Sequence, residues 1–290
     1  MKHAKILVAA AAALALQAHA DVITDWNQKT NGFIAEARIG TPPAVRISAI
    51  VQVAALRAVT TLPHGASADA AVAAAHRAVL LKLMPAQQAS VDAAVNAALA
   101  AIVEGPAKAA GVAAGEQAAA AVMAERQDDG AGTAEAYRPH AGAGSYVPTA
   151  PAAVPQWAQR KPWLMATAEQ FRPAAPPALS SAQWARDFEE AKRLGHRTSK
   201  ERTPDQTEAA RFWDYSLPAI YHGVLRSVAL QPGRDVLRNA RLYAVAAQAM
   251  DDALISVFDA KYHHGFWRPV TAIRNADIDG NEATGRDASW

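Results

Sequence analysis

Asp259-Ala260-Lys261-Tyr262-His263-His264-Gly265-Phe266-Trp267-Arg268-Pro269-Val270-Thr271-Ala272-Ile273-Arg274 is the stretch on which the reading of this chain turns. It ends one apolar-periodic run, passes through a glycine, and restarts at a proline, which is tolerated at the first turn of a helix. Two cations, Lys261 and Arg268, stand among three aromatic residues across that break. A planar guanidinium can hold two oxygens at once and an ammonium adds a compact point charge, so the pair suits a tetrahedral anion. A helix opening at Pro269 would add backbone N–H groups. The plainer reading of the same spacing is a solvated face with side chains stacked on the rings.

Lysine, six residues, then Arg-Pro resembles the first signature of the vanadium-dependent haloperoxidase and type 2 phosphatidic acid phosphatase superfamily. Tyr262, Phe266, Trp267 and Thr271-Ala272-Ile273-Arg274 are similar to its soluble bacterial branch, as are Asn239 to Ala244, Asp251-Asp252-Ala253, Asp279-Gly280-Asn281 with Thr284, and Arg202-Thr203 ahead of Phe212-Trp213. The resemblance runs from about Ser180 onward. It implies an all-α helical bundle in which Lys261 and Arg268 are catalytic and hold the oxygens of vanadate, with phosphate able to take the same place. It also implies small-molecule partners: hydrogen peroxide and a halide for a haloperoxidase, a phosphate ester for an acid phosphatase. Family members carry a Pro-Ser-Gly-His segment after the first signature, then Ser-Arg with a downstream histidine. The 290 residues contain neither. The expectation is therefore a bundle incomplete at its C-terminus, inactive alone, with a non-catalytic helical fragment as the remaining alternative.

The start of the chain reads as a secretory leader: Lys2 and Lys5, an apolar run from Ile6 to Leu16, and Ala18-His19-Ala20 as a small-residue cleavage site. That implies a periplasmic or secreted protein, with no membrane segment expected after residue 20. The full chain carries 29 basic and 27 acidic side chains. Removal of residues 1–20 takes away two lysines and no acid, which leaves a neutral chain and no electrostatic case for nucleic acid. With no cysteine there is neither a disulfide nor a thiolate.

Alanine richness and few β-branched runs favour helix throughout. Apolar positions near a period of 3.6, with their breaks, predict helices over 21–37, 44–62, 67–84, 86–103 and 106–126. Ser67 is read as a cap, and Ser180 with Gln183 as a capping box for a helix to Leu194. Thr203, Pro204 and Gln206 start the next helix, which is expected to turn Phe212 and Trp213 inward. Helices over 217–230 and 235–259 follow, the second with an apolar face through Leu242, Val245, Ala249, Leu254 and Val257. Residues 128–179 change to Gly, Pro and scattered aromatics, read as an ordered crossover inside one domain spanning 21–290.

Several further residues tempt a functional reading. Asp252 and Asp259 are a heptad apart on one face, and Asp252 is the better candidate to stand behind the cradle and orient Arg268 or another arginine. His76 lies amid alanines without a ligand partner and reads as a core histidine. Glu189-Glu190 point apart on a helix and read as a solvated face. No metal-ligand set is read: His263-His264 are chain neighbours that rarely converge on one ion, and Asp277, Asp279 and Asn281 fit an Asx turn better than a calcium loop. Oligomeric association is left open.

Overall fold

Capping residues set where the helices begin. In this computed structural model, which describes residues 21–214 and 217–290, Asp21 accepts from the Thr24 amide and opens α1 (Val22–Glu36). The leader lies outside the described residues. Pro42-Pro43 sit in the first turn of α2 (Thr41–Thr60), where a missing N–H costs nothing. Ser67 caps α3 (Ala68–Leu83) through the Ala70 amide. α4 (Gln88–Ala100) and α5 (Pro106–Glu125) complete the alanine-rich run. α6 (Ala182–Gly195) starts one residue later than the Ser180 reading, because Ser181 is the side chain that accepts from the Trp184 amide. Thr203 and Gln206 close a reciprocal capping box on α7 (Pro204–Trp213). α8 (Leu217–Ala229), the 29-residue α9 (Val236–His264) and the short α10 (Pro269–Arg274) follow. Among the described residues there is no strand, only an isolated antiparallel bridge between Ser145 and Phe266. The fold is an all-α helical bundle.

Where the sequence reads as one domain, the residues gather into two compact units: 21–127 with 217–248, and 128–214 with 249–290. In the first, α2 is long and apolar enough to cross a membrane by length and composition, contrary to the expectation that no segment after the leader would be. Its apolar residues instead form core, with Val45, Ala49, Ile50, Val51, Ala54, Ala55 and Ala58 fully buried. α5 lies hard against α3 because Gly111 and Gly115 present no side chain there. A Cβ on Gly115 would stand 2.1 Å from the Ala71 carbonyl oxygen, and one on Gly111 2.3 Å from that of Ser67.

His76 is a core histidine, as its setting in the sequence suggests. Its Nδ1–H donates to the Val72 carbonyl at 2.8 Å, and its ring lies 5.2 Å from that of Trp26. Burial, with a smaller push from Lys29, lowers it to about 4 despite the backbone bond, so the ring is neutral at pH 7. His222 on α8 is also buried and is held by Asn31 at 3.0 Å and Asn27 at 3.3 Å. Burial and the nearby Arg226 bring it to about 4 as well.

In the second unit, Trp184, Phe188, Trp267, Ala272, Ile273 and Ala276 form one core, with Phe266 and Trp290 packed on it. Two expectations fail here. Phe212 and Trp213 are 57% and 55% exposed rather than turned inward, and Val257 of the presumed apolar face of α9 is 56% exposed. The face of α9 that this unit buries is Asp251, Asp252, Leu254, Ile255 and Phe258.

Candidate oxyanion site

Lys261 sits in the last turns of α9, which ends because Gly265 adopts φ +52, a left-handed turn open to glycine. The chain reverses there and meets the crossover. The Tyr146 amide donates to the Gly265 carbonyl at 2.6 Å, and the Trp267 amide to that of Gly144 at 2.9 Å. Arg268 is the next residue and caps α10. The two-residue bridge therefore lands between the cations and delivers the buried Tyr146 ring to both. The Lys261 Nζ is 5.0 Å from its centroid and the Arg268 Cζ 5.5 Å. Lys261 is also ringed by Phe258 at 5.4 Å and Tyr262 at 4.8 Å.

Neither cation has a carboxylate partner among the described residues. The contrast with nearby arginines is sharp. Arg172 makes a two-pronged pair with Asp259 at 2.6 and 2.7 Å, which holds the Asp259 carboxyl below its ordinary range. Arg160 is clamped between Asp251 and Asp129. Tyr262 is pushed up to about 12, first by burial and then by Tyr146 and Tyr137, with Arg268 pulling the other way. It is therefore a neutral hydroxyl at pH 7, and that hydroxyl is buried without a hydrogen-bond partner among the described residues. Two cations that no carboxylate among the described residues pairs with, beside a neutral hydroxyl, suit an anion better than a metal cation. α10 adds little, since six residues make a small dipole.

Asp252 does not orient Arg268. Its oxygens are taken by three backbone amides of the crossover, Trp163 at 2.6 Å, Leu164 at 2.7 Å and Met165 at 2.9 Å. Asp251 beside it accepts from both Arg160 Nη atoms and from the Trp163 indole. Asp252 and Asp259 thus pin the crossover to α9 at two points a heptad apart. Between those points lies an open groove of about 680 Å³, lined mainly by Leu164, Met165, Phe171 and Val257 and reaching Lys261.

The remaining candidates stay outside the cradle. His264 bonds the Pro173 carbonyl at 3.1 Å, and His263 is exposed. Asp279 accepts from the Asn281 amide, the Thr284 hydroxyl and the Trp184 indole, which makes it the hub of a turn. Tyr146 is the residue that sequence reasoning missed. It lies in the Gly- and Pro-rich crossover, and only an aromatic residue following Gly144-Ser145 marks it.

Residues 241–287 match the family model described as the VCPO second helical-bundle domain. The structure is similar to that of a bacterial vanadium-dependent iodoperoxidase, with TM-score 0.72 and 22% identity over 89% of this chain and 72% of that one. It is also similar to a bacterial vanadium-dependent chloroperoxidase in its apo and holo forms, with TM-scores 0.64 and 0.65 and identities of 16% and 17%. Those matches cover 80% and 81% of this chain but only 64% and 65% of the chloroperoxidase chains, so it spans less than two thirds of their length. No curated protein sequence matches the chain. The fold is that of the vanadium haloperoxidases, and these matches together support the superfamily read from the Lys261 and Arg268 spacing.

Proposed function

We propose that Lys261 and Arg268 form the cationic half of an oxyanion site in a vanadium-dependent haloperoxidase, where the anion held is vanadate. The observation that carries this reading is the approach of two cations, unpaired with any carboxylate among the described residues, to one buried ring. Bound vanadate supplies the peroxide activation that drives halide oxidation in this family. The residues of this chain bind and neutralise its oxygens: Arg268 offers a fork of N–H donors and Lys261 a point charge. The same donors fit phosphate, so hydrolysis of a phosphate ester is the second reading. The leader supports export to the periplasm or beyond.

The residues present fit the oxygens of the anion. Among the described residues, His264 is engaged by the Pro173 carbonyl and His263 is exposed, so in this reading neither serves to anchor the metal or attack phosphorus. Residues 21–290 are therefore expected to bind phosphate weakly, at about millimolar or roughly 4 kcal/mol, with no turnover. Calorimetric titration of inorganic phosphate and of vanadate, beside bromination and phosphate-release assays, checks this. Equal binding by wild type and the Lys261→Ala/Arg268→Ala protein would sink the site. Turnover lost in that double variant would instead show that the 290 residues hold a complete centre.

A further inference from the structure

We infer that Tyr146 is a positioning residue whose ring fixes the span between Lys261 and Arg268, so that the crossover, and not the helix alone, sets the size of the anion cradle. This inference rests on the oxyanion reading above. The two cations come from different elements, one from the end of α9 and one from the cap of α10, with the Gly265 turn between them. Like charges repel, and an acid that bridged them would neutralise the pair and occupy the donors an incoming anion needs. An aromatic face avoids both problems, because its quadrupole attracts each cation while leaving N–H groups free.

Tyr146 is well placed for that task. It is 5% exposed, its amide is tied to the Gly265 carbonyl, and its own carbonyl accepts from the Tyr137 hydroxyl at 3.3 Å. The rings of Tyr137 and Tyr262 flank it, each with its centroid 6.1 Å away. The Tyr146 hydroxyl enters none of these interactions. The ring face is the working part, so phenylalanine should serve as well as tyrosine.

The test is calorimetric titration of inorganic phosphate into residues 21–290 bearing Tyr146→Phe, Tyr146→Leu, or pentafluorophenylalanine at position 146, with near-ultraviolet circular dichroism as the check on folding. Pentafluorophenylalanine keeps the shape of the ring but removes its negative face. It keeps the proposal testable even where the leucine variant fails to fold. Two cation–π contacts at a half-exposed site predict about a tenfold loss of affinity for leucine and for the fluorinated ring, and affinity within about twofold of wild type for phenylalanine. Wild-type binding that is lost in Lys261→Ala but unchanged by the fluorinated ring overturns this inference alone. No phosphate binding by wild type overturns the oxyanion reading and this inference with it.

Discussion

Replacing Arg160 by methionine tests whether the crossover is held by charge. The guanidinium side chain is fully buried, as is Asp251, and Asp129 is 1% exposed, so the cluster has no access to solvent. Arg160 donates to Asp251 at 2.5 and 2.8 Å and to Asp129 at 3.0 Å, and its guanidinium lies 4.6 Å from the Trp157 ring centroid. Burial works against its charge, but the bonds and charges of Asp251 and Asp129 outweigh that, and Arg160 titrates above its ordinary range. Methionine fills most of the volume and removes the cation that bonds both oxygens of the buried Asp251 and one of Asp129. Breaking a buried pair in this way costs about 3–5 kcal/mol, which for a chain of this size is a fall in Tm of roughly 10 °C. Urea denaturation at pH 7 followed by near-ultraviolet circular dichroism gives the loss. Adding Asp251→Leu and Asp129→Ala should recover a large part of it, since the penalty comes from stranded charge rather than lost volume. A single-variant loss below about 1 kcal/mol, or a triple variant weaker than the single, would refute the account.

Three other outcomes follow from the geometry. His76 and His222 have folded values of about 4, below the ordinary 6.5, so the unfolded chain binds their protons first; stability is full above pH 6.5 and is lost as pH falls toward 4. Each is worth about 3 kcal/mol, read as a falling urea midpoint whose fall is roughly halved in His76→Gln. Gly115→Ala should destabilise by about 1–3 kcal/mol, because its Cβ meets a backbone oxygen, while Gly32→Ala, which meets nothing within 4 Å, should not. Equal urea midpoints for the two variants would refute the close approach of α5 to α3. Asp252→Ala strips three backbone amides of their acceptor, so hydrogen exchange at residues 163–165 should speed up several-fold, and unchanged protection there would mean that other contacts hold the crossover.

Much of the helical order was legible because it is local. Ser67 and Thr203 announce their helices by side-chain chemistry that needs only the next three residues. The Ser180 cap was off by one because two serines stand together and sequence does not say which enters the helix. Phe212 and Trp213 went astray for a different reason: helical spacing shows that two residues share a face, not that anything covers it. The spacing of Lys261 and Arg268 singles the two cations out, but the Tyr146 ring that both approach lies far upstream of them. The partners of Asp252 were not legible, because the amides it holds lie nearly ninety residues upstream in a segment without periodicity.

The bridge that brings Tyr146 to the cations also decides when the cradle can exist. The ring arrives from more than a hundred residues upstream of Lys261, and closing a loop of that length costs about 4 kcal/mol of chain entropy. Contacts of such long sequence range form late, after the local helices have condensed. A peptide spanning 258–274 would carry both charges and lack the ring that sets their span. Affinity for a small anion is therefore a property of the assembled chain, and it doubles as a readout of whether the crossover has docked.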